Sequence, residues 1–305
     1  MLYKRKMVVY FQVNHYRGGF RLRKGFNMKR LLILGVVLIA LTGFAFANGQ
    51  GEDARPEGGF EDGIYFAMQD EYGRTGWKYM VTLWVEDGEI TDVEWNGANS
   101  KAGTDKITRS KSGEYGMVEN GGAIAPWWEQ AEAAEEYLLE VQDPRQMELD
   151  DGGYTDAVSG VTIHINELQE LAIKALDQGK VDGLGPYEDG AYSAEADDFS
   201  NGWKDRVDLT VISGYIVAAY WNPVGEDGQD KYEVSVEGEY GMVENGGAQA
   251  PWWEQADAVE AKLLETQDPT AVSWDSDGNT DAISGVSIHV DGFFELAAEA
   301  LEDAQ

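Results

Sequence analysis

The chain has 305 residues, of which 43% are apolar, and its formal net charge at pH 7 is −33. This length predicts about two domains, and the 10 Trp and 15 Tyr supply enough apolar surface for packed cores. The strongly negative charge excludes nucleic acid and anionic membranes as partners. The absence of cysteine excludes disulfides, thiolate metal sites and cysteine nucleophiles.

Residues 1–47 have the composition of a targeting segment. A basic MKR sequence at residues 28–30 precedes an apolar run over residues 31–41, and an A-x-A cleavage site follows at residues 45–47. This pattern predicts translation from Met28, an upstream extension before it, and a signal peptide cleaved after Ala47. Because no lipobox cysteine is present, we expect a soluble protein exported to the periplasm or the extracellular space.

Cleavage of the signal peptide increases the negative charge. Residues 1–47 hold 9 of the 23 Lys and Arg residues and none of the 56 Asp and Glu residues. The remaining chain therefore has 14 basic against 56 acidic side chains, a formal charge of −42. Residues 48–58, which follow the cleavage site, are polar and are predicted to form a flexible tether.

An internal repeat organises the rest of the chain. Residues 114–131 read EYGMVENGGAIAPWWEQA, and residues 239–256 read EYGMVENGGAQAPWWEQA, 125 positions later and with one difference. A period this long corresponds to a whole domain and not to a solenoid repeat. We therefore predict two tandem homologous domains, joined by a Gly- and Pro-containing linker. Their bounds are residues 59–178, residues 179–185 for the linker, and residues 186–305.

Each repeat begins with a predicted β-hairpin. Apolar side chains alternate with more polar ones over residues 77–85, which is the pattern of a strand buried on one face. Asp87 and Gly88 form a tight turn, and residues 90–95 supply the returning strand. The corresponding elements of the second repeat are residues 207–211, Ser213 with Gly214, and residues 216–221.

Helices follow the hairpin in each repeat. The first is predicted to have Pro126 or Pro251 in its first turn, where a missing N–H has no effect on the helical hydrogen bonds. Pro144 and Pro269 prevent its continuation. A further helix carries an apolar stripe formed by Leu168, Leu171, Ala172, Ala175 and Leu176. Each domain is therefore predicted to be α+β, with helices packed on an antiparallel sheet.

A repeated turn precedes that last helix. Residues 155–164 read TDAVSGVTIH, and residues 280–289 read TDAISGVSIH. One interpretation is a helix cap, in which the hydroxyl of Thr162 or Ser287 accepts from a backbone N–H and contributes about 1 kcal/mol. The other is a chemical attachment point, because glycine permits close approach of a ligand and helix N-termini attract phosphate. The residue types alone leave both interpretations open.

The repeated turn resembles the flavinylation motif of the FMN-binding domain family. The opening DG-x-Y sequence and the V-x-DG-x-I hairpin of the first repeat are also similar to this family. It includes peripheral subunits of sodium-translocating NADH:quinone reductase and Rnf-type complexes, and secreted proteins similar to pheromone-precursor lipoproteins. In these proteins a flavin transferase moves FMN from FAD onto the threonine of the motif and forms a phosphoester.

The resemblance implies cofactor-binding residues in both repeats. The expected acceptor of the first repeat is Thr162, with Asp156, Ser159 and Gly160 as further motif residues. The expected acceptor of the second repeat is Ser287, with Asp281, Ser284 and Gly285. The sequence differs from the family at Val161 and Val286, where alanine is usual, and at Ser287, where threonine is usual; the last difference puts the second attachment site in question.

Several aromatic and histidine residues are candidate flavin contacts. Trp127, Trp128, Trp252 and Trp253 are interpreted either as core residues or as stacking partners of the flavin ring. The glycine-containing EYGM segment either approaches the flavin or forms an ordinary tight loop. His164 and His289 lie two positions after the acceptors, either as donors to a phosphate or as structural residues.

No metal site is predicted. Each repeat contains one histidine, which excludes a multi-histidine cluster within a domain. The acidic segment over residues 275–281 has the oxygen spacing of a calcium loop, but its glycine is misplaced for an EF-hand. We interpret this segment as a solvated turn.

The resemblance implies an electron carrier more than a substrate-converting enzyme. One or two covalent FMN groups would take electrons from a membrane redox complex or reductase and pass them to an extracytoplasmic acceptor, after maturation by a flavin transferase. The alternative is an exported, non-redox ligand-binding or surface protein that retains the FMN-binding fold.

Overall fold

The computed structural model describes residues 55, 56 and 58–305. The predicted signal peptide and most of the predicted tether lie outside the described residues. The described part of the first repeat contains, in chain order, β1 (Gly63–Met68), β2 (Trp77–Glu86), β3 (Glu89–Asn99), α1 (Lys106–Lys111), α2 (Trp127–Val141), a 3-10 turn (Pro144–Gln146) and α3 (Asn166–Gln178). The strands form an antiparallel sheet in the order β1-β2-β3.

The second repeat has a similar succession of elements, with two additional short strands and with its 3-10 turn after the last helix. The elements are β4 (Gly190–Glu195), β5 (Trp203–Lys204), β6 (Arg206–Ile212), β7 (Tyr215–Trp221), β8 (Val224–Gly225), α4 (Lys231–Val236), α5 (Trp252–Thr266), α6 (Asp291–Ala300) and a 3-10 turn (Leu301–Ala304). An antiparallel sheet in the order β4-β6-β7 corresponds to that of the first repeat, and β5 pairs separately with β8. The predicted α+β class is confirmed.

The predicted hairpin turns are also confirmed. Asp87 and Gly88 connect β2 to β3 with φ angles of 53° and 80°, and Ser213 and Gly214 connect β6 to β7 with φ angles of 54° and 77°. Two successive positive φ angles define the tight turn whose twist matches that of the flanking strands. The predicted position of the first helix is wrong by one residue, because Pro126 and Pro251 are N-cap residues that precede the first helical turn.

The prediction that the hairpin strand is buried on one face is wrong. Val81, Leu83 and Val85 face the helices of their own repeat, as the alternation indicates. Lys78 and Thr82 of the same strand are buried as well. The second face is covered by the sheet of the other repeat, so nearly every position of β2 is shielded from water.

The two sheets pack against each other through a cluster that contains residues of both repeats. Its buried members are Met80, Ala98, Ala102, Ile212, Val217, Ala218 and Tyr220. Polar groups at this interface are paired across it. The hydroxyls of Thr82 and Ser213 lie 2.6 Å apart, and the Thr210 hydroxyl donates to the Gly103 carbonyl at 2.8 Å. Such pairing is needed because a buried polar group without a partner is costly.

Side chains from the long helix of each repeat cover the outer edge of its sheet. The Glu135 carboxylate accepts from the backbone N–H of Trp95 at 2.8 Å, and the Gln142 amide both accepts from and donates to the backbone of Ile90. Glu260 and Gln267 make the same contacts in the second repeat, with Trp221 and Ile216. Burial raises the pKa of the Glu260 carboxyl well above its ordinary value. These bonds remove an exposed strand edge.

No helix among the described residues combines the length and the apolar character needed to cross a membrane.

The chain that enters the second repeat passes directly over the hairpin turn. The Gly185 N–H donates to the Ser213 carbonyl at 2.9 Å, and a Cβ atom at Gly214 would lie 2.2 Å from the Gly185 carbonyl oxygen. Gly214 therefore has two reasons to be glycine, its positive φ angle and the close approach of another backbone segment.

We predict that Gly214→Ala destabilises the protein more than Gly228→Ala does. Both residues have positive φ angles, but a Cβ atom at Gly228 meets nothing within 4 Å. Strain of the backbone alone costs about 1 kcal/mol or more, and we expect Gly214→Ala to cost at least about twice as much, because two backbone segments must also separate. Urea denaturation of both variants measures the difference, and equal losses of stability would contradict the close approach.

Candidate functional site

The hydroxyls of Thr162 and Ser287, which are predicted to be the FMN acceptors, each donate to a buried glutamine. The Gln130 side chain is 1% exposed on the first turn of α2, and its Oε1 atom accepts from the Thr162 N–H at 2.7 Å and from the Thr162 hydroxyl at 3.1 Å. In the second repeat, Oε1 of Gln255 accepts from the N–H and hydroxyl of Ser287 at 2.7 Å and 3.2 Å. The two sites therefore have the same geometry despite the change from threonine to serine.

The helix-cap interpretation of these hydroxyls is wrong. Helix α3 begins at Asn166 with Ile165 as its N-cap residue, and α6 begins at Asp291 with Val290 as its N-cap residue. Neither helix has a side-chain cap. Thr162 lies four residues before α3 because its own N–H and hydroxyl are both held by the start of another helix. Neither hydroxyl therefore lies at the N-terminus of the helix that follows it, where the free backbone N–H groups were expected to stabilise a phosphate.

The remaining residues of the motif form an open surface around the acceptor. Thr162 is exposed, and so are Asp156, Ser159 and Gly160. Gly160 has a φ angle of 92° and open space around its Cα atom, and Gly285 of the second repeat is similar with 82°. Asp281, Ser284 and Ser287 are exposed as well. Both hydroxyls are accessible to a macromolecule that approaches from solvent.

The paired tryptophans divide into a core residue and a half-buried residue. Trp127 and Trp252 are each 3% exposed and pack in the cores of their repeats, which leaves no free ring face for a ligand. Trp128 and Trp253 are half-buried. A cavity of about 300 Å³ lies beside Trp253 and is lined by Tyr240 and Met242 of the EYGM loop. Of each pair, the second tryptophan is thus the one available to a ligand.

The histidines have different surroundings in the two repeats. Nδ1 of His164 donates to the Gly152 carbonyl oxygen at 2.6 Å, and Nε2 shares a hydrogen bond of 2.8 Å with the Tyr154 hydroxyl. The two rings also stack with centroids 4.2 Å apart. His289 is exposed, and the position of Tyr154 is occupied by Asn279, whose side-chain amide donates to Asp275 instead. His164 is therefore a structural residue of its turn.

The acidic segment over residues 275–281 is a turn closed by its own hydrogen bonds. Oδ1 of Asp275 accepts from the backbone N–H groups of Asp277 and Asn279 at 2.9 Å each. Across the described residues, no group of three or more His, Cys, Asp or Glu side chains is arranged to hold a metal ion.

A buried lysine that the sequence reasoning missed lies among four aromatic rings. Lys106 is 1% exposed, and its Nζ atom donates to the Tyr79 hydroxyl. Nζ also lies between 4.4 and 5.0 Å from four ring centroids, those of Trp77, Tyr79, Tyr115 and Trp127. Cation–π attraction to these rings favours the charged form. Burial outweighs it and lowers the pKa of Lys106 to about 7, against the smaller opposite effect of Glu167.

The second repeat has the same arrangement with one change of partner. Nζ of Lys231 lies 4.7 Å from the Trp252 centroid and 5.0 Å from that of Tyr240, and burial lowers its pKa to about 8. Asp205 occupies the place of Tyr79 and opposes this shift. Oδ1 of Asp205 also accepts from the Trp221 indole N–H at 3.1 Å. Within the described part of the chain, the equivalent indole N–H of Trp95 is the buried side-chain donor that lacks a partner.

The missed residues carried a signal in the sequence. Lys106 and Lys231 are separated by the repeat offset of 125 residues, and Gln130 and Gln255 lie within the duplicated block itself. Only the fold shows that each glutamine contacts a turn 32 residues further along the chain.

Comparisons with known proteins give no family. No protein-family model and no curated protein matches the chain. A solution NMR structure of a Clostridium thermocellum protein is 56% identical, covering 38% of this chain and 90% of that one, with a TM-score of 0.32. A crystal structure of a Clostridium perfringens protein is 24% identical, covering 39% of this chain and 88% of that one, with a TM-score of 0.31. These TM-scores are too low to support an inference about this chain.

We predict that stability rises between about pH 7 and pH 9.5 more steeply in the wild type than in Lys106→Met. The pKa of Lys106 is about 7 in the folded protein and about 10.4 in an unfolded chain. In this window the unfolded state binds more protons than the folded state, so raising the pH favours folding, by at most about 1.4 kcal/mol per pH unit. The variant has no such contribution.

Urea denaturation at a series of pH values measures this difference. Lys111→Met, which removes an exposed lysine from the same helix, is the matched control. Parallel stability curves for the wild type and Lys106→Met would show that Lys106 keeps its proton on folding.

Proposed function

We propose that the protein is an exported electron carrier with FMN attached by a phosphoester to Thr162, and with a second attachment site at Ser287. The observation that carries the proposal is the pair of exposed hydroxyls, held in the same geometry by a buried glutamine in each repeat. If this contact served packing alone, the two hydroxyls would not need to be exposed to solvent, as both are.

The described residues fit such a group. Open space around Gly160 and Gly285 leaves room for a bulky phosphoester next to each hydroxyl. In the second repeat, the cavity beside Trp253 offers an aromatic face and apolar side chains for a planar ring system. When bound, FMN would supply the redox chemistry, and the protein would set its exposure and electrostatics.

Covalent attachment suits an exported carrier. A flavin that dissociates outside the cytoplasm is diluted away, whereas a phosphoester retains it. We propose that a flavin transferase loads the protein and that a membrane redox complex or reductase supplies its electrons. The high negative charge of residues 48–305 favours partners with a basic docking surface.

The role of carrier is favoured over that of a substrate-converting enzyme by the titratable groups. Within the described residues, Lys106 and Glu260 have strongly shifted pKa values and are buried in packing contacts away from the cavity beside Trp253. The carboxylate that lines this cavity, that of Glu244, is exposed to solvent, and no Lys, Arg or His side chain lines the cavity with it. General acid–base catalysis needs such a group within reach of a substrate.

Substitution of the acceptors tests the proposal. The wild-type chain is produced with a flavin transferase and separated by denaturing electrophoresis, where flavin fluorescence reports covalent attachment. Intact mass then counts the FMN groups. We expect two in the wild type, one in Thr162→Ala, one in Ser287→Ala and none in the double variant.

Ser276→Ala, which removes an exposed hydroxyl from the neighbouring acidic turn, is the control and should keep both groups. Flavin retained in the double variant would place the acceptors elsewhere. A wild-type chain without covalent flavin would overturn the proposal and favour a non-redox, ligand-binding protein.

A further inference from the structure

The orientation of the Gln130 amide is determined by its own hydrogen bonds. Nε2 of Gln130 donates to the Ala125 carbonyl at 2.8 Å, just before the first turn of α2. Exchange of the amide oxygen and nitrogen would bring two oxygens together at this contact and two donors together at the Thr162 N–H. Oε1 therefore faces Thr162, and Gln255 is held in the same way by the Ala250 carbonyl at 2.8 Å.

This orientation determines where the hydroxyl proton lies. Oε1 of Gln130 carries no proton, so the Thr162 hydroxyl must donate to it across the 3.1 Å contact. The lone pairs of Thr162 Oγ1 then point away from the buried glutamine, towards solvent. The same holds for Ser287 on Gln255. Each acceptor oxygen thus presents its nucleophilic side outwards while its proton is directed inwards.

We propose that Gln130 and Gln255 are positioning residues for the attachment of FMN to Thr162 and Ser287. This inference rests on the proposed function. A neutral amide oxygen is too weakly basic to remove the hydroxyl proton, so the glutamines orient the acceptors and do not activate them as bases. The 2.7 Å hydrogen bond from the Thr162 N–H to Oε1 of Gln130 holds the turn against the start of α2. The hydroxyl bond selects one side-chain rotamer.

The reaction at Thr162 is a phosphoryl transfer. Oγ1 forms a bond to the phosphorus on the flavin side of FAD, the bond from that phosphorus to the bridging oxygen breaks, and AMP leaves. The hydroxyl proton passes to a base of the transferase or to water. No electrons are transferred, so the flavin keeps its oxidation state. Orientation of the attacking oxygen is the contribution that this chain makes.

Two substitutions at Gln130 separate orientation from packing. Gln130→Met keeps the length of the side chain and removes the acceptor. Gln130→Glu keeps an acceptor oxygen at the same reach, and burial favours its protonated form, whose O–H can donate to the Ala125 carbonyl as the amide does. The full chain is incubated with purified flavin transferase and FAD, and mass spectrometry of the Thr162 and Ser287 peptides follows each site separately. Ser287, whose partner Gln255 is not substituted in these variants, is an internal control for the fold. The thermal midpoint of each variant is measured alongside.

We expect Gln130→Met to lower the maximal rate at Thr162 about tenfold, as for the loss of one hydrogen bond to the reacting group. The KM of the transferase for this protein and the attachment rate at Ser287 should not change. Gln130→Glu should recover most of the rate. Gln255→Met should lower the rate at Ser287 by a similar factor and leave the rate at Thr162 unchanged. If Gln130→Met unfolds below the assay temperature, Gln255→Met takes its place in the test.

The outcomes distinguish the inference from the function on which it rests. An unchanged attachment rate at Thr162 in Gln130→Met and at Ser287 in Gln255→Met would overturn the positioning role and leave the proposed flavin attachment intact. Equal loss at both sites, with a lower thermal midpoint and no recovery in Gln130→Glu, would assign the glutamines to packing alone. No attachment to the wild-type chain would overturn the proposed function and this inference together.

Discussion

The burial of both faces of each sheet is the constraint on which the rest of the structure depends. One face of β2 packs on the helices of its own repeat, and the other packs on the sheet of the second repeat. Polar groups on the shared face must therefore find partners within the protein, as Thr82 and Ser213 do. The repeats cannot be treated as independent folding units, because separation would expose the apolar cluster formed by Met80, Ile212 and Val217.

The packed interior also determines where the exposed turn of Thr162 lies. Trp127 anchors the start of α2 in the core, with its ring 5.1 Å from that of Trp95. The Ser110 hydroxyl accepts from the Trp128 N–H at 3.2 Å and satisfies a further donor of this first turn. Gln130 projects from the same turn and binds Thr162. An exposed hydroxyl is thereby attached to a rigid support, which is the arrangement that a modification site requires.

The repeats differ in charge at the start of α1 and α4, where Lys106 and Lys231 lie. Lys106 has a tyrosine hydroxyl as its partner, whereas Lys231 has the carboxylate of Asp205 nearby. The carboxylate also satisfies the Trp221 indole, and its replacement by Tyr79 leaves the Trp95 indole without an acceptor. If both repeats carry flavin, as proposed, these differences give the two groups different electrostatic surroundings. A duplicated fold can in this way hold two non-equivalent sites.

The sequence by itself determined the α+β class and the hairpin turns, since these depend on local periodicity and on residues close together in the chain. It did not determine that β2 is buried on both faces, because Thr82 looks like a solvent-facing residue until the second repeat covers it. Nor did it show the role of Gln130, which meets Thr162 only after α2 packs on the sheet. The helix-cap interpretation of Thr162 was wrong for the same reason. A hydroxyl takes the partner that tertiary packing brings to it, and here that partner is a distant amide and not the nearest helix.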